Sequence, residues 1–267
     1  MSHRCQSVLY GTAGRRRAEV ASVSADLPDA HLIPEHSHPE DQLLYASRGV
    51  MTVATQQGVW VVPPLRAVWI PADTVHSVAM SGQVSMRTLY FFPRLCPSLP
   101  RRCFVMNVSL LLRELILHAC SFGRLRIRSK TERRLIEILI DQLQEVQTAP
   151  LQLPYPQDVR AQRAAQALSA NPGDQKTLDQ FCFECGASKR TLQRLFLEET
   201  GMTFSRWRQQ LRLLYATHRL ALGDKVTTAA LDAGYNSTSA FISMFRRQLG
   251  TTPARYLQVA SKGGRSQ

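Results

Sequence analysis

Three groups of side chains in this sequence have the types and spacing to do more than pack. His36 and His38 are one residue apart, Gln42 follows four residues on, and His76 closes the run Pro71-Ala72-Asp73-Thr74-Val75-His76. In a strand, positions 36, 38 and, if the strand runs on, 42 share one face. A histidine from another strand would complete a three- or four-ligand site for a divalent metal. Gln42 is neutral and a weaker ligand than a carboxylate, which lowers the expected affinity. Two other readings stay open: a site that has lost its metal, and histidines that touch a small molecule directly. The second group is Cys182-Phe183-Glu184-Cys185. A structural zinc needs four ligands, and neither a second cysteine pair nor a nearby histidine supplies them. The expected role of this pair is that of small buried hydrophobes. The third group, Arg190, Gln193 and Arg194 with Thr238, Ser239, Ile242, Ser243, Arg246 and Arg247, combines bidentate, hydroxyl and cationic chemistry suited to base edges and phosphates.

The elements that must carry these residues follow from local pattern. Between about Val20 and Phe92, short runs such as QLLYA, VMTVAT, GVWVVP, AVWIP, HSVAM and VSMRTLYFF alternate with Pro, Gly and Asp. That rhythm predicts an antiparallel sandwich or barrel. Trp60, Trp69, Tyr45 and Tyr90 suit either its core or the wall of an apolar pocket. NVSLLLRELILHAC (107–120) predicts a helix buried on more than one side. Residues 129–146 predict a second, opened by a Ser129-x-x-Glu132 capping box and striped by Leu135, Ile136, Leu139, Ile140 and Leu143. This pair either packs on the β-domain or forms a dimerisation face. APLQLPYPQD (149–158) reads as an extended linker, and Asp158 caps the next helix.

Two helix-turn-helix units are then expected. In the first, Thr177 caps a helix to Glu184, Gly186 turns the chain and Ser188 caps KRTLQRLFLEE, with Leu192, Leu195 and Phe196 inward. In the second, Thr227 or Thr228 caps a helix to Ala233, Gly234 turns the chain, and Asn236 or Ser237 caps TSAFISMFRR. Phe241, Met244 and Phe245 then face inward. A continuous helical segment, FSRWRQQLRLLYATHRLAL, separates the units.

Charge agrees with an acidic partner. The 267 residues carry a net +13, and residues 158–267 hold 16 Lys/Arg against 8 Asp/Glu, where 1–157 hold 17 against 12. Affinity for a phosphate backbone is expected from the C-terminal part. Arg15-Arg16-Arg17 reads as a solvated tail. No apolar run reaches the roughly 18–20 residues a bilayer span needs. No secretory leader is read at the N-terminus, and six scattered cysteines fit a reducing cytoplasm.

SKRTLQRLFLEETGMTFSRWRQQLRL and AALDAGYNSTSAFISMFRRQLGTTPARYL, with the helix joining them, resemble the C-terminal domain of AraC/XylS-type transcriptional regulators across residues 176–257. The resemblance implies seven helices, with two recognition helices entering successive major-groove segments on one face of DNA. It places Arg190, Gln193, Arg194, Thr238, Ser239, Ile242 and Ser243 at the DNA, and Pro253 and Tyr256 in a structural closing helix. Cys182 and Cys185 stand where the family generally has alanine. The N-terminal spacing resembles the cupin signature, His-x-His-x3-Glu-x6-Gly followed by Pro-x-Gly-x2-His. Gln42 stands for Glu and Asp73 for Gly, and the second motif's leading Gly is missing.

The expected architecture is α+β. A basic tail (1–18) precedes a cupin-like β-barrel (19–100), a helical pair (101–148), a linker (149–157), an all-α double helix-turn-helix domain (158–260) and a tail (261–267). The function this implies is sequence-specific regulation of transcription, without catalysis. Operator DNA is the expected partner; a small-molecule effector, RNA polymerase and a second copy of the chain are further candidates, and no membrane is expected. The rival reading is a cupin metalloenzyme with a helical appendage.

Overall fold

A computed structural model describes residues 19–92, 95–145 and 151–256. The Arg15-Arg16-Arg17 run and the tails expected at 1–18 and 261–267 lie outside them. The N-terminal half is antiparallel: β1 (Val20–Leu27), β2 (Leu32–His36), β3 (Asp41–Thr55), β4 (Gly58–Val62), β5 (Arg66–Ile70), β6 (His76–Phe91), β7 (Phe104–Asn107) and the short β8 (Arg124–Leu125). The sheet runs β7-β5-β3-β6-β1-β8, with β2 added to β6 and β4 to β3.

QLLYA and VMTVAT are one strand, as are HSVAM and VSMRTLYFF. The join in β3 is a bulged stretch around Arg48 and Gly49. Gly49 has φ +76°, and a Cβ there would lie 2.5 Å from the Gln83 carbonyl oxygen, so glycine alone lets the two strands pass this closely. The bend sends one half of β3 along β5 and the other along β4.

Period-two alternation divides the strand residues between two cores. Leu43, Tyr45, Trp69, Leu89 and Phe91 pack against α1 (Leu110–Phe122) and α2 (Lys130–Gln144). Leu44, Ala46, Val68 and Ile70 face the other way, into the barrel, with Trp60. Trp60, Trp69 and Tyr45 are therefore core, not pocket wall. Ser109 and Ser129 cap the two helices, and the predicted α2 stripe is buried apart from a half-buried Ile140. The first helix departs from expectation. Residues 104–107 form β7, paired with β5, and the helix begins at Leu110 with one buried face, Leu112, Ile116 and Ala119; Leu110 and Leu111 are exposed. A run this apolar looks buried all round, but docking on a flat sheet covers one side only.

The stretch expected as a linker holds strand β9 (Gln152–Pro154), paired with β4. Then follow α3 (Val159–Ala170), α4 (Leu178–Cys185), α5 (Lys189–Thr200), α6 (Phe204–Ala221), α7 (Val226–Asp232) and α8 (Thr238–Leu249), with a further helical turn at 253–256. α6 is the spine. Its Trp207, Leu211 and Leu214 belong to an apolar core continuous from the barrel through α3, α4 and α5. Its Leu213, Ala216 and Leu220 belong to a separate core with α7, α8 and Tyr256.

Candidate nucleic-acid interface and histidine site

Both helix-turn-helix units are built by local chemistry. Thr177 and Gln180 form a reciprocal capping box at the start of α4, Gly186 ends that helix in the left-handed region, and the Ser188 hydroxyl accepts from the Thr191 N–H to start α5. In the second unit the Ser237 hydroxyl, not Asn236, caps α8 by accepting from the Ala240 N–H. The cap expected at Thr227 or Thr228 is absent. α7 starts two residues earlier, its N-cap is Lys225 and no side chain caps it. Packing of Ala229 and Ala230 beneath α6 and α8 fixes this helix instead.

The outward faces differ between the units. Arg190, Gln193 and Arg194 are all exposed on α5, above buried Leu192, Leu195 and Phe196. Arg194 is held by Glu198 one turn on, Nη1 to Oε2 at 2.7 Å, and the neighbouring Lys189 meets Asp179 at 3.2 Å. On α8, Ser239, Ser243, Arg246 and Arg247 are exposed, whereas Thr238 is half-buried and Ile242 packs partly against Phe241 and its neighbours. The two arginines occupy the last turn of α8, where the helix dipole favours cations. Cys182 and Cys185 are buried in the apolar core beside Phe181 and Leu192, and burial raises both thiols above their ordinary pKa.

The histidines converge, though not on one strand. His36 ends β2, His38 lies in the following turn, Gln42 is in β3 and His76 opens β6. Each imidazole Nδ1 lies 2.8 Å from a backbone carbonyl: His36 from Pro34, His38 from Glu40, His76 from Thr74. A carbonyl only accepts, so each ring carries a proton on Nδ1, which leaves Nε2 as the nitrogen that a neutral ring offers to a ligand. The ligating nitrogens lie within 4.8 Å of one another. His76 is fully buried, and its Nε2 has no hydrogen-bond partner. Burial lowers His76 to about 4 and also lowers His38, so both are neutral near pH 7.

Gln42 is positioned by residues that its sequence spacing does not reveal. Its amide nitrogen donates to Thr88 Oγ1 at 3.1 Å and to the Tyr90 hydroxyl at 3.2 Å, both on the neighbouring β6. Its Oε1 stands 3.1 Å from His38 Nε2. With the His38 proton on Nδ1, those two atoms are both electron-pair donors. Either a cation lies between them or the amide is turned over to donate to the ring. The donor set, three imidazoles and the Gln42 amide oxygen, therefore fits a divalent first-row metal, and the buried Nε2 of His76 has no other partner.

The comparisons with known proteins agree with this division. An "AraC-like ligand binding domain" matches residues 19–170 and a "Helix-turn-helix domain" matches residues 181–258. The HTH-type transcriptional regulator NimR of Escherichia coli strain K12 is 34% identical over 96% of this chain and 94% of its own length. The chain belongs to the AraC family of transcriptional regulators. It joins a helix-turn-helix DNA-binding domain to an N-terminal ligand-binding domain. RipA of Corynebacterium glutamicum is 40% identical over a shorter stretch, 39% of this chain and 31% of RipA. Among solved structures, apo ToxT from Vibrio cholerae covers 91% of this chain and 98% of its own at 13% identity and TM-score 0.39. The DNA-binding domain of AdpA in complex with a target DNA covers 40% of this chain and 96% of its own at 28% identity and TM-score 0.37. No helix among the described residues is long and apolar enough to cross a membrane.

Proposed function

We propose that this AraC-family regulator reads its operator with α5 and α8 and is modulated by a small molecule through its barrel. The observation that carries the reading is the pair of outward polar faces, Arg190, Gln193 and Arg194 on α5 and Ser239, Ser243, Arg246 and Arg247 on α8, both supported by the one continuous helix α6. Arginine pairs bidentately with guanine and glutamine with adenine, which suits α5 to direct base readout. Hydroxyls on α8 suit shorter contacts, with Thr238 and Ile242 at the edge of that face and Arg246 and Arg247 on phosphates. Non-specific attraction comes from the surrounding cations and weakens with salt. The protein works in the cytoplasm, where its DNA is, with RNA polymerase as the partner that reads out its position. A second copy is the natural occupant of the exposed Leu110 and Leu111 on α1.

Sequences selected from random DNA by the full chain would define the operator. On it, Arg190→Ala is expected to weaken binding by about 1–3 kcal/mol and to relax preference at one base position. Full affinity of that variant in a shift assay would show that α5 is misassigned.

The histidine geometry favours a second role in the same protein. His36, His38, His76 and Gln42 would hold a divalent metal that ties β2, β3 and β6 together, so that metal binding stabilises the barrel. Purified protein titrated with Co(II) is expected to show visible d–d bands, and His38→Ala to abolish them without unfolding the chain. A titration with no spectral change would remove the metal from the account.

A further inference from the structure

Arg206 and Gln210 of α6 face the barrel, the latter through its bond to the Gln152 carbonyl. Arg208 lies two residues from each, so the helical period turns it to the opposite side, with Arg212 one turn further on. Both guanidinium groups reach the loop that leads into the first helix-turn-helix unit. Arg208 Nη1 donates to the Lys176 carbonyl at 2.7 Å, and Arg212 donates to the Pro172 and Asp174 carbonyls at 3.0 and 2.8 Å. Like charges at this spacing on a helix repel. Among the described residues neither arginine has an ion-pair partner, and these bonds leave most of their N–H donors unused. Burial disfavours the Arg212 charge and Arg208 adds to this, so an anion between the two would relieve both.

The arginines line an open cavity of about 410 Å³ together with Lys176, Thr177 and Tyr235, and no carboxylate lines it. Lys176 is already paired with Glu184 at 2.8 Å, which leaves the arginines as the uncompensated charge. The cavity lies between the two units. Thr177 caps α4, whose Asp179 meets Lys189 at the start of α5. Tyr235 stands two residues before Ser237, the cap of α8, and its buried hydroxyl has no hydrogen-bond partner among the described residues. Gln175 ties the same loop to the second unit by donating to the Gly234 carbonyl at 2.9 Å.

We propose that this cleft grips a backbone phosphate of the operator, where one strand passes from the first recognition helix to the second. The inference rests on α5 and α8 as the DNA-reading helices. Arg208 and Arg212 are then positioning residues. Their forked donors match a phosphate, and they fix the register of both helices on the duplex while touching no base. The place of the cleft decides the partner. A free phosphate compound would need only the two guanidinium groups. A duplex also accounts for their position between the starts of two recognition helices, on the side of α6 away from the barrel.

The test scans the selected operator with a neutral methylphosphonate replacing one phosphate at a time, read by shift assay with the full chain. The parent protein is expected to lose about tenfold where the replaced phosphate lies in the interval between the two recognition helices. Arg208→Gln and Arg212→Gln should each weaken the unmodified operator about tenfold and lower the salt slope by about one. In the double variant the scan should be flat across that interval, because the contact is already gone. A double variant that keeps the parent's pattern at uniformly lower affinity would give the arginines a structural role alone and overturn the proposal. Melting curves identify a variant that fails to fold, and the parent's scan then decides by itself: an interval with no sensitive phosphate overturns the proposal. Inorganic phosphate is the other source of the same chemistry. A saturable, arginine-dependent rise in Tm with inorganic phosphate, beside a flat parent scan, would assign the cleft to a free anion and also overturn it. Arg190→Ala is measured on the same duplexes. If it weakens binding while the parent scan is flat, only the cleft falls; if it has no effect while the interval is sensitive, the α5 reading falls and the cleft stands.

Discussion

Arg194 is tied to Glu198 by a 2.7 Å ion pair along one exposed helix face. An exposed i,i+4 pair adds little to stability; with α5 as the proposed recognition helix, the pair would serve to aim the guanidinium. Glu198→Gln is expected to tighten binding to random DNA by removing a carboxylate from the phosphate-facing side, while reducing discrimination against operators altered at the Arg194 contact. Competition shift assays at two salt concentrations would show both effects, and unchanged discrimination would mean that Glu198 does not position Arg194. At this scale the sequence marks the candidate residues by type but not how they meet. His36, His38 and His76 stand out by type. Their assembly depends on a turn that takes His38 off the strand and on Thr88 and Tyr90, whose separation from Gln42 leaves no mark in a local pattern.

The elements were legible where their signals are local. Caps at Thr177, Ser188 and Ser237 and turns at Gly186 and Gly234 lie within a few residues of the helices they define. They were illegible where packing decides, as in α7, which starts at an uncapped Lys225, and in β3, whose two apparent strands are joined by a bulge. The two turn glycines make a controlled comparison. Both have positive φ, but a Cβ at Gly186 would meet nothing, whereas one at Gly234 would lie 2.7 Å from Arg212 Nη2. That guanidinium cannot swing away freely, because it donates to the Pro172 and Asp174 carbonyls. Gly186→Ala is therefore expected to destabilise by about 1 kcal/mol, the backbone contribution alone. Gly234→Ala should lose about 2–3 kcal/mol, with the Arg212 anchors added. Urea denaturation of both variants checks the order, and equal losses would show that Arg212 yields.

On the scale of the whole molecule, the two halves share more than a tether. Trp207 Nε1 on α6 donates to the Pro154 carbonyl at 2.7 Å, Gln210 donates to the Gln152 carbonyl, and the barrel's apolar core runs on into the first helix-turn-helix unit. His218, also on α6, lines a crevice against Thr52, Val59 and Val61 of the barrel. Burial lowers its pKa below the ordinary 6.5, with Arg219 acting the same way and Asp224 and Asp29 opposing. A histidine with a lowered folded pKa contributes stability that is present above about pH 6.5 and lost as the pH falls through the folded value. Thermal stability is thus expected to decline on acidification below that point, and His218→Gln to flatten part of the decline. Parallel melting curves from pH 7.5 down to about 5 would test it. Identical slopes would place the acid sensitivity elsewhere. None of this seam was readable beforehand, since the contacts join residues far apart in the chain.

Strand β9 has a practical consequence. Because Gln152–Pro154 completes the hydrogen bonding of β4, cutting the protein at its proline-rich stretch does not yield two clean pieces. A barrel fragment ending before residue 151 would present the naked backbone of β4, beside Trp60, as a template for another copy. The helical fragment would bare Trp207 and Leu211. Each half covers a sticky surface on the other, so the barrel fragment should precipitate unless β9 stays with it, and the helical fragment should precipitate in either case.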